Sequence, residues 1–470
     1  MKQEIKKLTL ITLFAFFALC KFNYAQHTTL LNFAGGLDGR TATGNLVSDG
    51  TYLYGMTLFG GTSNLGTVFK IKPDGSGYVK LLDFTDNPNG KNPYGSLVYD
   101  GTYLYGMTRY GGLNNNGMIF KIMPNGSGYS KIYDFSYAIG MLPDGSLYFD
   151  GSYLYGMTKN GGASVKGNIF KILPNGSGFV SLQTFTGATN GSVGNGSLIS
   201  DGTFLYGMTQ YGGLNNSGTY TDGVIFKMMP NGTGFTKTLD FSKTITGNFP
   251  LGSLYYDGSY MYGMTSEGGV NNKGTLFKIM PNGNGYLRLL DFDGTINGRF
   301  PTGDVVSDGT YLYGMTQYGG ANDDGTAFKI KKDGTGYSKL IDFNYSTTGS
   351  DPQGSLLLNA GSLFGMTKTG AANGFGTIFK LGTNAVGIQE LNYKQIGNFY
   401  PNPSNGILII ELNELTETEL TVYNMMGDLV FQKTIQETST IDLSEFMDGV
   451  YTLHLKNDNG VTIKKIILNK

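Results

Sequence analysis

The chain has 470 residues, and its 34 basic side chains are balanced by 35 acidic ones. This near-neutral charge excludes attraction to nucleic acid or to a charged membrane surface through bulk electrostatics. The only histidines, His27 and His454, lie outside the repeats described below, and the only cysteine is Cys20. A Ser-His-Asp triad and a histidine-based metal site are therefore excluded from those repeats.

Residues 1–25 have the pattern of an export signal peptide. Three lysines precede an apolar run from Leu8 to Leu19, and about twelve residues are too few to span a bilayer. Ala25 fits the cleavage site. A lipid anchor on Cys20 is less favoured, because Leu19 before it is not small. The mature chain then has no cysteine and no predicted membrane span, and its stability rests on packing.

A motif with the core Tyr-Gly-Met-Thr recurs along the next 350 or so residues. Its first position falls seven times at a spacing of 50 to 56 residues: Tyr54, Tyr105, Tyr155, Tyr206, Tyr262, Tyr313 and Phe364. Such a period indicates a tandem-repeat architecture. Glycine is abundant, but aromatic residues make up 13% of the chain, so the glycines mark turns in a packed all-β protein.

Each repeat divides into four predicted strands, described here for the second copy. Strand A covers 96–100, strand B 103–108, strand C 118–123 and strand D 129–135. The A–B and C–D turns are short and glycine-rich, whereas the B–C and D–A loops are longer and variable. Four strands in about fifty residues are typical of a β-propeller blade. The sequence therefore predicts a seven-bladed β-propeller over residues 26–383.

The two ends of this region predict how the propeller closes. The segment Thr28–Phe33 matches the strand D sequence that ends with Leu81–Phe84, whereas the seventh copy stops after strand C at Thr377–Lys380. The N-terminal segment can therefore supply the missing strand D, which leaves no exposed edge.

A lysine recurs at one strand C position, and it is predicted to lie diagonally opposite an aspartate of strand D. The lysines are Lys70, Lys121, Lys171, Lys227, Lys278, Lys329 and Lys380. The aspartates are Asp83, Asp134, Asp240, Asp291 and Asp342, with Thr184 and Asn32 in the two remaining copies.

Beyond the repeats, residues 384–396 are predicted to form a linker and residues 397–470 a small C-terminal β-sandwich. This module opens on a Tyr-Pro-Asn-Pro-Ser-x-Gly motif and later has a Gly-Val-Tyr strand and a basic, apolar terminus. The motif residues are Tyr400, Pro401, Asn402, Pro403, Gly406, Gly449 and Tyr451.

The C-terminal module resembles the type A C-terminal sorting domain of the type IX secretion system of Bacteroidetes. The resemblance implies export by the type IX secretion machinery to the extracellular space or the outer cell surface. The repeats, through their Tyr-Gly-Met-Thr, Gly-Gly and Gly-Thr-x-Phe-Lys elements, resemble the GloVer-type tandem repeats of bacterial surface proteins. The resemblance to that family implies a location at the cell surface and no particular activity.

The variable B–C and D–A loops are predicted to emerge on one face and to carry any ligand site. An aromatic residue occupies one B–C position in four repeats, with asparagines nearby, and both suit a sugar ring or an extended peptide. The candidate residues are Phe59, Tyr110, Tyr211, Tyr318, Asn115, Asn216 and Asn272. The alternative is that the rings cover the loop base and the asparagines cap turns. The irregular residue after each Tyr-Gly-Met-Thr is a further candidate contact.

The sequence favours a non-enzymatic binding or scaffold protein that recognises a glycan or a surface protein. No catalytic residue, metal ligand or cofactor is assigned. One alternative is a polysaccharide lyase or hydrolase that uses loop carboxylates, such as Glu267, and tyrosines. Another is a purely structural adhesion component. Calcium stays open as a ligand of Asn322–Gly325 or Asp291–Gly294, where carboxylates cluster beside glycine turns.

Overall fold

The computed structural model describes residues 25–213, 222–385, 396–424, 428–457 and 460–470. The predicted signal peptide up to residue 24 and most of the predicted linker lie outside these ranges. Every regular element in the described residues is a β-strand, and none of these residues belongs to a helix that could cross a bilayer. They fall into two compact units, one up to residue 385 and one from residue 396.

The first unit contains seven four-stranded antiparallel sheets, of which six are each formed by one repeat. After β1 (Ala25–Asn32), the first three sheets are β2–β5 (Val47–Ser48, Leu53–Thr57, Thr67–Ile71, Val79–Asp83), β6–β9 (Val98–Tyr99, Leu104–Thr108, Met118–Ile122, Ser130–Asp134) and β10–β13 (Tyr148–Phe149, Leu154–Met157, Asn168–Ile172, Val180–Thr184).

The next three sheets are β14–β17 (Ile199–Ser200, Leu205–Thr209, Val224–Met228, Thr236–Asp240), β18–β21 (Tyr255–Tyr256, Met261–Thr265, Thr275–Ile279, Leu287–Asp291) and β22–β25 (Val306–Ser307, Tyr311–Thr316, Thr326–Lys331, Ser338–Asp342). The seventh sheet contains β26 (Leu357–Asn359), β27 (Ser362–Thr367) and β28 (Thr377–Ala385). Its fourth strand is β1, which pairs with β28 in antiparallel orientation.

Strand B is the buried centre of each sheet. In the second sheet all five residues of β7 are buried, and Tyr105 and Met107 contribute to a different apolar cluster from Leu104. This division follows from the two-residue period of a strand. Gly106 lies opposite Phe120 of β8, and a Cβ atom on it would be 2.6 Å from the ring. Glycine therefore leaves space for the phenylalanine of the adjacent strand.

The core lies between neighbouring sheets. One cluster contains Phe135 of the second repeat and Leu154 of the third, and an equivalent cluster joins the seventh repeat to the first through Phe364 and Phe69. Phe33, directly after β1, is fully buried in the latter cluster. The all-β architecture with propeller-like four-stranded sheets agrees with the sequence prediction.

The predicted pairing of the strand C lysine with the strand D aspartate is wrong. Lys70 lies opposite Val79, and Asp83 lies opposite Thr67. The lysine instead donates to the Pro124 carbonyl of the next repeat, at 3.1 Å. Asp83 pairs with Lys80 of its own strand, at 2.7 Å. The aspartate also accepts hydrogen bonds from the B–C loop, so its position serves the loop rather than the strand register.

An aspartate and a tyrosine fasten the A–B turn in six repeats. In the fifth repeat, Tyr262 donates to one oxygen of Asp257, and the backbone N–H groups of Ser259 and Tyr260 donate to the other. Lys332 of the next repeat lies 3.1 Å from the same carboxylate. Burial acts to raise the pKa of Asp257, but these hydrogen bonds outweigh it and lower the pKa to about 2.

This turn predicts a specific acid sensitivity. Because the pKa of Asp257 is depressed in the folded state, its contribution to stability is complete above the unfolded value, about 3.9. That contribution is lost as pH falls toward 2. We expect Asp257→Asn to lower the urea midpoint at pH 7 and the difference from wild type to shrink as pH falls from about 4 to 2. Asp308→Asn, in a turn with no ion pair recorded among the described residues, should show a smaller difference at pH 7. A difference for Asp257→Asn that is independent of pH would contradict this account.

The second unit consists of two sheets. One contains β29 (Gly397–Tyr400), β30 (Ile407–Leu412) and β33 (Ser439–Asp442), and the other contains β31 (Thr418–Tyr423), β32 (Leu429–Ile435), β34 (Gly449–Asn457) and β35 (Gly460–Leu468). Both sheets contribute alternate residues to one apolar core.

Candidate functional site

The B–C and D–A loops of each repeat lie against each other at the same end of the sheet. In the second repeat, Lys91 of the incoming D–A loop forms an antiparallel bridge with Tyr110 of the B–C loop, and the same bridge recurs in every repeat. These loops therefore form one face of the first unit, which we call the loop face.

Three residues at the end of each D–A loop lead into strand A, and we call them the inner triplets. Each has glycine in the middle: Thr43–Asn45, Tyr94–Ser96, Asp144–Ser146, Asn195–Ser197, Leu251–Ser253, Thr302–Asp304 and Gln353–Ser355. A Cβ atom on Gly95 would overlap the carbonyl oxygen of Gly145, and one on Gly354 would overlap that of Gly44. Glycine thus allows neighbouring triplets to approach closely, including the last and the first.

Hydrogen bonds connect the third residues of successive triplets. In six of the seven neighbouring pairs, the backbone N–H of one residue donates to the side-chain oxygen of the next, at 2.5–2.9 Å. The acceptors are five serine or asparagine oxygens and the carboxylate of Asp304. The bond from Ser355 to Asn45 joins the seventh repeat to the first.

The inner triplets of all seven repeats line one cavity of about 310 Å³. The lining is completed by three residues that directly follow a Tyr-Gly-Met-Thr core: Lys159, Gln210 and Gln317. Most of these side chains are hydroxyls, amides or charged groups. The cavity can therefore exchange hydrogen bonds with a polar ligand in many directions.

A buried carboxylate organises the charged part of this cavity. The side chain of Asp144 is 3% exposed, and its Oδ2 lies 2.8 Å from Arg109 and 3.4 Å from Lys159. Its other oxygen, Oδ1, has no hydrogen-bond partner among the described residues. Burial raises the pKa of Asp144, against the opposing effect of the two cations. The Arg109 guanidinium also lies 4.9 Å from the centre of the Tyr94 ring.

Asp304 also lines the cavity, at a position where the other repeats have serine or asparagine. Its carboxylate accepts the N–H of Ser253, at 2.5 Å. Burial raises its pKa, although hydrogen bonds from Ser253, Ser355 and Asn45 act in the other direction.

The four predicted aromatic residues are placed at equivalent points of the loop face but are not brought together. Each is half-buried and forms the D–A bridge of its own repeat. Phe59 lies under Arg40, at 5.5 Å, and Tyr318 under Arg299, at 5.4 Å. Tyr110 lies 5.8 Å from Arg109. Tyr211 borders a separate groove with Asn160 and Val193.

The predicted asparagines belong to turns of the B–C loops. Asn115 has a φ of 54°, and its side chain accepts the N–H of Gly111, at 3.1 Å. Asn272 has the same φ, in the left-handed region. Turn capping, the alternative role stated above, is thus observed at Asn115. Asn216 lies outside the described residues.

The remaining candidates are engaged within the protein. The backbone of Glu267 forms a β-bridge with Asn248, and this residue does not line the cavity. Of the two acidic segments considered for calcium, Asp323 pairs with Arg299 and Asp291 with Arg288. No group of three His, Cys, Asp or Glu side chains suited to a metal occurs in the described part of the chain.

The prediction that both histidines lie outside the repeats is wrong for His27. It belongs to β1 in the seventh sheet and lies 5.9 Å from the ring of Phe379. Burial lowers its pKa.

In the second unit, the sorting motif runs beside the terminal strand. Asn402 donates to the Lys465 carbonyl and accepts from the Ile467 N–H, at 2.8 and 2.9 Å. Tyr400 ends β29, whereas Gly449 and Tyr451 belong to β34. Pro401 and Pro403 flank Asn402, and Gly406 has a φ of 111°.

Sequence reasoning missed the inner triplets, and therefore Tyr94, Asp144 and Asp304. A signal for them is present: the residues on both sides of an invariant glycine vary among the repeats, before every strand A. The irregular residue after each Tyr-Gly-Met-Thr was predicted to be a contact position. Three of these seven residues line the cavity: Lys159, Gln210 and Gln317.

Comparisons with known proteins address the family and the fold. The model of the Gloeobacter/Verrucomicrobia repeat matches residues 17–221 and 211–408. The model of the secretion system C-terminal sorting domain matches residues 398–469. Both matches confirm the resemblances drawn from the sequence. No curated protein matches the chain.

Two similar solved structures are extracellular domains from B. thetaiotaomicron. The first, from a protein named as a hybrid two-component system, has 13% identity and a TM-score of 0.51, over 89% of this chain and 47% of that one. The second, from one named as a one-component system, has 14% identity and a TM-score of 0.49, over 95% and 59%. The chain thus spans about half the length of the first structure, and this likeness concerns the fold alone.

Proposed function

The chain belongs to the Gloeobacter/Verrucomicrobia repeat family and ends in a secretion-system sorting domain, and from this premise we propose that it is a non-enzymatic binding protein of the cell surface. The sorting domain implies export to the surface or the extracellular space and interaction with the secretion machinery. The proposal adds that the exported unit binds a glycan or a surface protein through its loop face.

The observation that carries the binding proposal is the central cavity, whose lining takes residues from all seven repeats. Loops that differ from repeat to repeat supply the variable side chains, while the sheets below them stay nearly constant. Variable loops held by a regular scaffold commonly supply the residues that bind a ligand.

Exposed apolar side chains give the loop face further capacity for contact. In the described part of the first unit, eight of the twelve large exposed apolar residues stand on B–C or D–A loops: Leu37, Leu113, Tyr137, Val165, Ile245, Val270, Ile296 and Tyr345. The others, Val79, Val180, Met229 and Leu287, are on strands D or C–D turns. Exposed apolar groups concentrated on one face favour that face as the contact surface.

The architecture we propose for this unit is a closed seven-bladed β-propeller whose seventh blade is completed by the N-terminal strand. The pairing of β1 with β28 supports it. So do the apolar cluster between the seventh and first repeats and the Ser355–Asn45 hydrogen bond. In this arrangement the inner triplets surround the propeller axis.

A glycan array tests the binding proposal. We expect the exported chain to bind at least one glycan, and the triple variant Leu113→Ser, Val270→Ser, Ile296→Ser to weaken adhesion to larger glycans. The control is Val79→Ser, Leu287→Ser, which removes exposed apolar groups away from the loop face. Binding of no glycan and of no surface protein would favour the purely structural role. Turnover of a polysaccharide that is lost in Glu267→Gln would favour the enzyme.

A further inference from the structure

The charged groups at the central cavity already have partners within the protein. Its lining contains one cation, Lys159, and two carboxylates, Asp144 and Asp304. Lys159 and Arg109, which lies outside the lining, pair with Asp144, and Asp304 accepts the Ser253 N–H. A charged ligand would lose its hydration without meeting an unpaired opposite charge, which is unfavourable. The cavity therefore selects against strongly ionic ligands.

The hydrogen-bonding groups of the cavity match a molecule with many hydroxyls. The ammonium of Lys159 has three N–H donors, and one is directed at Asp144. Gln317 and Asn195 supply amide groups that both donate and accept. A serine oxygen that accepts a backbone N–H keeps its own O–H as a donor, as in Ser96. A ligand hydroxyl both donates and accepts, so it can use all of these groups.

Asp144 provides an independent sign that the cavity is built for a partner. A buried carboxylate oxygen without a donor is costly, and native structures usually supply one. Its Oδ1 has none among the described residues, although its Oδ2 holds two cations. Because the Asp144 side chain is only 3% exposed, it acts on a ligand through Lys159, and Tyr94 adds an aromatic surface of the kind that sugar rings contact.

We propose that the central cavity binds one neutral sugar unit, with Lys159 as a direct contact to a sugar oxygen and Asp144 as the residue that positions Lys159. This inference rests on the proposed binding function and specifies its site and ligand class. A volume of about 310 Å³ is at the small end of ligand pockets, which span roughly 300–1,000 Å³. It suits a single sugar unit of a glycan rather than an extended chain.

The test uses the full chain and calorimetric titration with methyl glucoside, methyl galactoside, methyl mannoside and N-acetylglucosamine. Galacturonate and glucosamine serve as the anionic and cationic comparators. We expect at least one neutral sugar to bind about tenfold more tightly than either comparator. Lys159→Gln should weaken that binding by about tenfold, because it removes a charged hydrogen-bond donor.

Lys368→Gln is the matched control. Lys368 occupies the same repeat position and forms a similar ion pair, with Asp351 at 3.0 Å, but it does not line the cavity. This variant should bind like wild type.

Asp144→Asn separates a positioning role from a purely structural one. Without the carboxylate, the positive charges of Arg109 and Lys159 are no longer balanced. We therefore expect the affinity for neutral sugars to fall, and the ratio of galacturonate affinity to neutral-sugar affinity to rise. A carboxylate with only a structural role would lower binding of all sugars alike. If Asp144→Asn does not fold, as judged by thermal melting, Lys159→Gln and its control still decide the question.

Three outcomes would overturn the inference. Preference of the wild type for galacturonate or glucosamine would refute the neutral ligand. Glycan binding that Lys159→Gln leaves unchanged would place the site elsewhere, while the proposed surface-binding function would stand. Absence of binding to any glycan or surface protein would remove both proposals.

Discussion

Phe33→Ala should destabilise the first unit by about 3–5 kcal/mol, as much as the same substitution in the middle of the repeats. Phe33 is fully buried, and its ring meets Phe69 edge-on at 5.6 Å. Its N–H donates to Gly376, and its carbonyl accepts from Asn373, both in the seventh repeat. The substitution therefore leaves a cavity between the last and first repeats, with the cost typical of Phe→Ala in a core.

The chain offers a closely matched control in Phe135→Ala. Phe135 is equally buried, meets Phe170 at 5.2 Å, donates to Gly117 and accepts from Asn114. In a closed propeller both variants should lower the urea midpoint of the first unit equally. In an open array, residue 33 would stand at a terminal edge, and its substitution would cost much less. A small effect at Phe33 beside a large one at Phe135 would therefore refute closure.

Deletion of residues 26–34 also tests closure by the N-terminal strand, with a larger perturbation than Phe33→Ala. It removes nearly all of β1 and leaves the edge of β28 unpaired, so we expect a clear fall in the melting temperature of the first unit. An unchanged melting temperature would contradict the proposed role of the N-terminal strand. Removal of residues 397–470 is the control, since the apolar clusters of the seven repeats contain none of these residues.

Much of the fold could be predicted because its causes are local and repeated seven times. The Tyr-Gly-Met-Thr core specifies a buried strand, and Asp-Gly or Pro-Asn-Gly turns mark the hairpins on either side. The strand C lysine was misassigned because register cannot be read from composition. A bulge in the C–D pairing, such as that between Val68 and Phe69, shifts the partners, and Asp83 is used by the loop.

The site was harder to predict because it depends on contacts between repeats. Asp144 is surrounded by Arg109 of the preceding repeat and Lys159 of its own, residues 35 and 15 positions away. No local sequence pattern indicates that the variable residue before the invariant glycine lines a cavity shared by all the repeats. The aromatic position after the threonine was more conspicuous in the sequence, yet at Phe59 and Tyr318 the ring contacts an arginine of the neighbouring loop.

Export should depend on the terminal strand and on the motif that binds it. Loss of residues 460–470 removes β35, and with it Ile466 and Leu468, which are almost fully buried in the core of the second unit. We expect this truncation to abolish delivery to the cell surface, because an unfolded sorting domain presents no recognisable surface to the secretion machinery. Protease treatment of whole cells, followed by fractionation, measures the delivery.

Asn402→Ala tests whether the motif acts through this strand. The side chain of Asn402 makes one bond to Lys465 and one to Ile467, and their loss should cost the second unit on the order of 1–2 kcal/mol and reduce the surface-exposed fraction. Asn405→Ala is the control, since among the described residues the Asn405 side chain makes a single, long 3.4 Å contact, with the Ile407 N–H. Equal export of the two variants would show that the Asn402 bridge is dispensable, so that recognition would have to rest on other parts of the module.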